Sequence, residues 1–194
     1  GYHHGSLRDS AIASARQLVE TQGISALGLR KVAGMVGVTP AALYRHFRDI
    51  DDLRASLSQQ IRGELGRALQ EPLSKYPYKN NKSTALKRFQ KLGHAYIDYA
   101  RNNPRLYEAA FLSCDDSFVE DYDEPAWEIM RITIGELKEH GLVGKNEIEI
   151  AIQIWSMVHG ISSLIASGAL SPDQHTLLKD YVIDGLMKSL KSLA

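Results

Sequence analysis

The sequence predicts an all-α protein in which a small head of three helices precedes a larger helical body, with about nine helices in total. Apolar residues recur at intervals of three and four along nearly the whole chain, as on one face of an α-helix, and no segment alternates convincingly as a strand does. Glycine and proline divide this pattern into short segments near the N-terminus and longer segments after it.

Charge separates the same two regions. Residues 1–48 carry six Lys and Arg side chains against two Asp and Glu, a net charge of +4, whereas the whole chain is neutral and the remainder is therefore at −4. A basic head on an acidic body indicates that the head contacts a polyanion and that the body does not.

The first predicted helix begins at a start signal formed by Ser6 and Asp9 and ends at Gly23. The second is short, from Leu29 to Val36, and Gly37 ends it. Both have an inward apolar face, formed by Ile12, Ala15, Leu18 and Val19 in the first and by Val32 and Ala33 in the second.

The third helix lies in the stretch VGVTPAALYRHF, residues 36–47. Thr39 suits the N-cap, and Pro40 suits the first helical position, where its missing N–H is not needed. Leu43 and Phe47 are expected to face inward, which leaves small and polar residues on the outer side.

A longer fourth helix starts near Ile50 and continues to Pro72 and Pro77, and the rest of the chain supplies five more, of which one is short and begins at Pro104. The four long helices carry apolar stripes, which are Leu86, Phe89, Gly93, Tyr96 and Ala100; Trp127, Met130, Ile134 and Leu137; Ile148, Ile152, Trp155 and His159; and Leu178, Val182 or Tyr181, Leu186 and Leu190. A chain of 194 residues that is 44% hydrophobic is long enough to bury such a core.

The composition narrows the class of protein. A single cysteine, Cys114, excludes an internal disulfide and has no evident activating partner for redox sensing. No N-terminal apolar run resembles a signal peptide and no stretch of 18 apolar residues is present, so we expect a soluble cytosolic protein. None of the G-x-S-x-G, H-E-x-x-H, G-x-G-x-x-G and Walker patterns occurs, so we expect no catalytic residue, no cofactor and no enzyme activity.

The second helix, the glycine turn and the third helix have the spacing of a helix-turn-helix. The second helix of such a pair enters the major groove of DNA and needs small residues near its N-terminus, which Pro40, Ala41 and Ala42 supply. The hydroxyl of Thr39 and the free backbone N–H groups beside it suit a phosphate. Further phosphate contacts are expected from the polar side chains that follow, Tyr44, Arg45 and His46.

A plainer interpretation is that the third helix is a capped surface helix that buries Tyr44 and Phe47. Composition alone leaves both interpretations open, because caps and aromatic anchors are ordinary features of helices. The separation of charge and the short preceding helix favour DNA binding.

Residues 5–65 resemble the DNA-binding head of the TetR family of bacterial repressors, through the segment AIASARQLVETQGISALGLRKVAGMVGVTPAALYRHFRDIDDL. The resemblance implies a helix-turn-helix at about residues 28–47 and a ligand-binding and dimerising body over residues 66–194. It also implies a DNA contact surface, formed by Arg8, Gly28, Lys31, Val38, Thr39, Pro40, Ala41, Ala42, Tyr44, Arg45 and His46.

Two positions depart from the family pattern. Gly28 stands where the family often has Ser or Thr, which caps the second helix and contacts a phosphate, so one phosphate contact is lost. Ile50, followed by Asp51 and Asp52, stands where family members tend to carry Lys. A helical adaptor whose helix-turn-helix has decayed is therefore a rival to a DNA-binding regulator.

Two segments of the body resemble the WHG subgroup of TetR C-terminal domains, namely WSMVHGISSLI at residues 155–165 and YIDYARNNPRLYEAAF at residues 96–111. Gly160 and three neighbouring serines keep the first of these segments slim, so we expect the last two helices to form a four-helix dimer interface. An effector pocket is expected to use apolar and aromatic side chains, for which the candidates are Tyr96, Tyr107, Phe111, Trp127, Met130, Trp155 and His159. Each of these side chains is equally suited to the core.

Two clusters were considered as cation sites. His3 and His4 lack a third ligand, which favours a native arm near the DNA backbone, or a disordered terminus, over a metal site. The acidic loop lacks the spacing and the central glycine of an EF-hand, which favours a solvated loop formed by Asp115, Asp116, Glu120, Asp121, Asp123 and Glu124. We therefore expect no metal site.

Together these observations predict a dimeric, ligand-responsive DNA-binding regulator, and most family members of this kind are repressors. Its expected partners are a pseudo-palindromic double-stranded DNA operator, a second copy of the chain and a small-molecule effector.

Overall fold

In the computed structural model, the residues described are 7–111, 125–144 and 146–192, without the side chains of residues 172, 176 and 189–192. Within these ranges the chain forms nine α-helices, one 3₁₀ turn (Ile24–Ala26) and no strand, which confirms the predicted all-α class. The helices are α1 (Leu7–Gln22), α2 (Leu29–Val36), α3 (Pro40–Leu43), α4 (Ile50–Ser74), α5 (Lys82–Asn102), α6 (Pro104–Phe111), α7 (Pro125–Lys138), α8 (Glu147–Ala166) and α9 (Pro172–Ser192).

Some sequence predictions lie outside the described residues. They concern the start signal at Ser6, the arm with His3 and His4, Cys114, the acidic loop from Asp115 to Glu124 and the side chain of Leu190.

The chain divides into two compact units. The head unit contains the residues up to Ile61 together with α6 after Pro104, and the body unit contains Arg62–Pro104 together with α7, α8 and α9. The division falls within α4, which contributes its first half to the head unit and its second half to the body unit. The helix α6 thus groups with the head, although it follows α5 along the chain.

In the head unit, α1 packs against α2 and α3. The buried side chains of this core include Ala15, Leu18, Val32, Leu43 and Phe47. Ser58 of α4 joins α6 to the unit, because its hydroxyl donates to the carbonyl of Ala110 over 2.6 Å. Arg105 of α6 donates to the carbonyls of Glu20 and Thr21, which lack intrahelical donors at the end of α1.

In the body unit, α5 packs against α7, α8 and α9. Its buried face contains Ala85, Phe89, Leu92, Tyr96, Ile97 and Ala100. Arg88 is buried as well, and its guanidinium forms an ion pair with Glu136 of α7 at 2.7 Å. The same guanidinium donates to the carbonyls of Leu73, at 3.0 Å, and Tyr76, so one arginine holds the end of α4 against α5 and α7.

The stripe predicted for α8 is wrong in its first half. Ile148 and Ile152 are exposed, and the buried face consists of Ile150, Ala151, Ile154, Val158, Ile161, Ser162 and Ile165. At about 100° per residue the four predicted positions lie within about 60° of one another, and the buried face is centred roughly a quarter to a third of a turn away from them. In α9, similarly, Tyr181 is exposed and Ile183 is buried. Both helices carry apolar residues on more than one face, so periodicity alone does not identify the buried one.

Among the described residues, α8 is the one helix with the length and apolarity of a membrane span. This is weak evidence for a span, because core helices of soluble proteins meet the same criterion.

Candidate nucleic-acid interface and effector cavity

Local backbone signals fix the turn between α2 and α3. The N–H of Val38 bonds to the carbonyl of Ala33, five residues earlier, at 3.0 Å. This bond is typical of a Schellman motif, which ends α2. Between these two residues Gly37 has a φ of 79°, a left-handed conformation that glycine adopts without strain. Thr39 then caps α3, because its hydroxyl oxygen accepts a hydrogen bond from the N–H of Ala42 at 3.3 Å.

The short helix α3 has two distinct faces. Leu43 and Phe47 are buried, as predicted, whereas the outer face is exposed and consists of Pro40, Ala41, Tyr44, Arg45 and His46. The N–H groups of His46 and Phe47 both bond to the carbonyl of Leu43, at 2.9 and 3.0 Å, so the helical turn continues past the end of α3. Because Tyr44 is 56% exposed, the plainer interpretation is wrong about this side chain, although it is right about the cap and the buried Phe47.

Two of the predicted phosphate-binding cations are held by contacts within the head unit. Arg8 donates to the hydroxyl of Ser56 at 2.7 Å, and its guanidinium lies 5.4 Å from the centre of the Phe47 ring. Lys31 donates to the side-chain carbonyl of Gln22 at 2.6 Å. Both side chains remain exposed, but a phosphate would compete with these partners.

Arg45 and His46 differ from these cations, because their side chains are exposed and form no hydrogen bond or ion pair with any part of the chain that the structure describes. The half-buried residues Gly28, Val38 and Ala42 and the exposed Thr39 complete the predicted surface. Gly28 caps α2 with an extended backbone and no side-chain bond, and the space where a Cβ would stand is open.

The acidic start of α4 is engaged in capping. Asp49 accepts a hydrogen bond from the N–H of Asp52 at 2.8 Å, and the carboxylate of Asp52 accepts one from the N–H of Arg48 at 3.0 Å. This backbone N–H, with the Arg48 guanidinium, lowers the pKa of Asp52. Arg54 pairs with Asp51 at 2.8 Å. The acids that depart from the family pattern are thus partly neutralised by their own neighbours.

The body unit contains an apolar cavity of about 420 Å³, a volume that includes its open mouth, so the enclosed part is small. Side chains from α4, α5, α7, α8 and α9 line it, among them Leu69, Phe89, Tyr96, Met130, Trp155 and Ile183. Three of the predicted pocket residues, Tyr96, Met130 and Trp155, therefore come together here.

Two more of the predicted pocket residues lie against this lining. The rings of Trp127 and Trp155 meet edge to face at 5.8 Å, and the His159 ring stacks on Trp155 at 6.0 Å. A hydrogen bond of 3.1 Å joins the Tyr96 hydroxyl to Nδ1 of His159. Burial lowers the pKa of His159, which favours the neutral imidazole at neutral pH.

The remaining two predicted pocket residues, Tyr107 and Phe111, do not line this cavity. They belong to α6, which groups with the head unit, and their rings lie 5.0 Å apart. The break at Asn103 and Pro104 ends α5, so these aromatic residues join a different core from Tyr96.

Sequence reasoning missed Leu69 and Ile183 as lining residues, because the isolated helical patterns contain nothing that sets them apart from other core positions. The available signal was Gly93, which interrupts the α5 stripe. A Cβ at this position would come within 2.3 Å of Cδ1 of Ile183, so the glycine marks the close approach of α9 to α5. Among the described residues, no group of three or more His, Cys, Asp or Glu side chains could hold a metal ion.

An exposed short helix on a capped glycine turn, followed by an all-helical body with an apolar cavity, defines a helix-turn-helix transcriptional regulator. Two family models match the chain and make this class specific. Residues 11–57 match the tetR family of bacterial regulatory proteins, and residues 89–186 match the tetracyclin repressor-like C-terminal domain. The chain belongs to the TetR family, which confirms the resemblance inferred from the sequence.

Individual relatives agree with this assignment. The chain is 26% identical over 174 residues to YobS of Bacillus subtilis (strain 168), an uncharacterized HTH-type transcriptional regulator, with 89% of this chain and 86% of YobS covered. A protein of unknown function from Rhodococcus sp. RHA1 has a similar structure, with a TM-score of 0.72 and 25% identity over 98% of this chain and 96% of that one. A TetR variant from Acinetobacter baumannii AYE, solved in complex with minocycline, shares the fold with a TM-score of 0.68 and 19% identity over 95% and 96% of the two chains.

Proposed function

We propose that this protein is a cytoplasmic, homodimeric repressor that binds a pseudo-palindromic DNA operator and releases it when a small molecule enters the body. The observation that carries the proposal is the outer face of α3, which is exposed and carries the side chains of Arg45 and His46 without side-chain partners in the described chain. In a two-fold dimer, two copies of α3 enter successive major grooves about 34–36 Å apart, or a multiple of that distance. The proposal includes no catalytic step, cofactor or metal.

On the outer face of α3, small residues contact base edges and larger residues contact phosphates. Pro40 and Ala41 are small and exposed, so the N-terminal end of the helix can approach base edges, and their apolar groups suit thymine methyls. Tyr44, Arg45 and His46 follow and contact phosphates, which fixes the register of the helix on the duplex. In the free protein Arg8 and Lys31 bond to neighbouring side chains. When DNA binds, both leave these partners and contact phosphates instead.

The exposed apolar face of α8 and α9 supports a dimer. Large apolar side chains project from both helices into solvent, namely Ile148, Ile152, Met157, Leu164, Leu177 and Tyr181. Gly160 lies among the exposed residues of α8 with open space at its Cβ position, which permits a close approach of a second helix. Two such helices from each protomer form a four-helix interface.

The cavity supports a ligand response because Leu69 of α4 is part of its lining, and the first half of the same helix belongs to the head unit. A molecule that binds one position of α4 better than another shifts the two heads and lowers DNA affinity, with a typical coupling of about 1–3 kcal/mol. A protein of similar fold was solved in complex with minocycline, which supports a small-molecule ligand for this chain.

DNA binding is tested by fluorescence anisotropy with duplexes from the region that flanks the gene, at several salt concentrations. We expect one duplex to bind far more tightly than a scrambled duplex of equal length, with affinity that falls steeply as salt rises. Equal, weak binding to all duplexes would contradict the proposal and favour the helical adaptor.

The dimer interface is tested with two matched substitutions, Ile152→Glu on α8 and Ile132→Glu on α7, since each isoleucine is 50% exposed. Sedimentation is expected to show that Ile152→Glu converts the dimer into a monomer of 21.6 kDa and that Ile132→Glu does not. A dimer that survives the first substitution and dissociates on the second would place the interface elsewhere.

A further inference from the structure

We propose that the molecule recognised by the cavity of the body unit is neutral and composed mainly of hydrocarbon, with an aromatic ring, and carries no ionised group. The inference rests on the proposed function in one respect, namely that this cavity is the effector site. It names the chemical class of the ligand, which neither the fold nor the relatives specify.

The first argument is the chemistry of the lining. Every residue that lines the cavity is apolar or aromatic, and no Lys, Arg, Asp or Glu is among them. An apolar lining favours apolar ligands, which give up little hydration on entry. Because the enclosed part of this cavity is small, a ligand of the size of benzene requires the lining side chains to move apart. Phe89, Tyr96 and Trp155 present ring faces and edges on which an aromatic ligand can pack.

The second argument is that the polar groups beside the cavity are already engaged. The hydroxyl of Tyr96 and the ring of His159 are hydrogen-bonded to each other, and burial keeps His159 neutral at neutral pH by lowering its pKa. An ionised ligand group would therefore enter without a counter-charge, which is strongly unfavourable.

The cations of the surrounding helices do not change this conclusion. Arg88 is paired with Glu136 and also bonds to carbonyls at the end of α4. Lys179 of α9 is paired with Asp98 of α5 at 3.0 Å. Recruiting Arg88 to a carboxylate in the cavity would leave the buried Glu136 without its partner, and recruiting Lys179 would break its ion pair with Asp98.

The third argument concerns size, which Gly93 and Ile183 limit together. Both line the cavity, and a methyl group on Gly93 would lie 2.3 Å from Cδ1 of Ile183. This atom is the end of a flexible side chain, so Gly93→Ala is expected to fold and to displace the isoleucine methyl within the lining. The substitution changes the shape of the cavity without adding charge.

The test compares three probes of one skeleton on the full-length protein by calorimetry at pH 7, namely ethylbenzene, phenylacetate and phenethylammonium. We expect saturable binding of ethylbenzene and binding of each ion that is at least about tenfold weaker. Binding of phenylacetate or phenethylammonium as tight as that of ethylbenzene, or no saturable binding of ethylbenzene, overturns the inference.

Matched glycine variants locate the probe. Gly93→Ala is expected to weaken ethylbenzene binding at least about fivefold, whereas Gly135→Ala, on α7 with nothing near its Cβ position, leaves it unchanged. Both variants gain the same helix propensity, so a difference between them in ethylbenzene binding reflects the cavity.

The reverse change is Ile183→Ala, which enlarges the cavity and is expected to tighten the binding of naphthalene. Equal binding to all three variants overturns the assignment to this cavity.

A DNA-binding measurement separates the two claims. If ethylbenzene binds the wild-type protein and not Gly93→Ala, the ligand class is supported, whether or not ethylbenzene changes the affinity for DNA. If saturating ethylbenzene leaves operator affinity unchanged while the binding data hold, the ligand response of the proposed function fails and the ligand class stands.

Discussion

The two recognition surfaces of this molecule are built in opposite ways. On the outer face of α3, small residues precede Arg45 and His46, whose side chains are exposed and have no partner among the described residues. In the body cavity the lining is apolar, and the polar neighbours Tyr96 and His159 bond to each other. Under the proposed function, a polyanion completes the first surface, whereas the second admits a molecule that resembles the protein core.

This difference also explains what the sequence could predict. In the head unit the signals are local, because Gly37, Thr39 and Pro40 determine the path of the backbone within a few positions. The cap at Thr39, the end of α2 at Gly37 and the inward Leu43 and Phe47 are all confirmed by the structure. Exposure of the outer face follows from these constraints.

In the body unit the decisive contacts are distant in sequence. The α8 helix carries isoleucines on both faces, so only its packing against α5 and α9 determines that Ile150 is buried and Ile148 is exposed. The cavity residues Leu69 and Ile183 belong to helices separated by more than half of the chain. No periodic pattern within one helix contains this information.

The largest expected effect on stability comes from removing a buried charged side chain rather than an exposed one. Arg88→Met leaves Glu136 buried without its partner, so the free energy of unfolding is expected to fall by about 3–5 kcal/mol in urea denaturation. Arg45→Ala in the head, where the side chain is exposed, is expected to change it by less than about 0.5 kcal/mol. Similar unfolding curves for the two variants would contradict the claim that this ion pair stabilises the body unit.

The next substitutions contrast the two faces of α3. Leu43→Ala removes a fully buried side chain and is expected to cost about 2–5 kcal/mol of unfolding free energy. Ala41→Leu on the exposed face is expected to leave stability nearly unchanged and to weaken operator binding about tenfold or more, because a bulky group replaces the point of closest approach. The smaller Ala41→Ser serves as its control, and DNA binding that tolerates leucine as well as serine at this position would exclude a groove-inserted helix.

A matched pair of buried serines tests hydrogen bonding in the two units. Ser58 in the head donates to the carbonyl of Ala110, so Ser58→Ala is expected to lower the unfolding free energy by about 1 kcal/mol. In the body, the buried hydroxyl of Ser162 has no hydrogen-bond partner in the described chain, so Ser162→Ala is expected to raise stability by up to about 1 kcal/mol. Denaturation curves that shift in the same direction would show that Ser162 has a partner.

The smallest expected effect is a pH dependence that originates in the body. Burial lowers the pKa of His94 and of His159 in the folded protein below the ordinary value of 6.5. The unfolded chain then binds more protons as pH falls below about 6.5, so stability is complete above that pH and decreases below it. The melting temperature of His159→Gln is expected to fall less between pH 7 and pH 5 than that of the wild type, and an unchanged slope would exclude His159 as a source.

The central claim, that the outer face of α3 binds duplex DNA, is tested most directly by the double substitution Arg45→Ala with His46→Ala. Operator affinity is measured across a range of salt concentrations, with Arg131→Ala, an exposed arginine of α7, as the control. The account predicts weaker binding and a logarithmic salt slope that is less steep by about one, with the control unchanged. Wild-type affinity and slope in the double variant would contradict it.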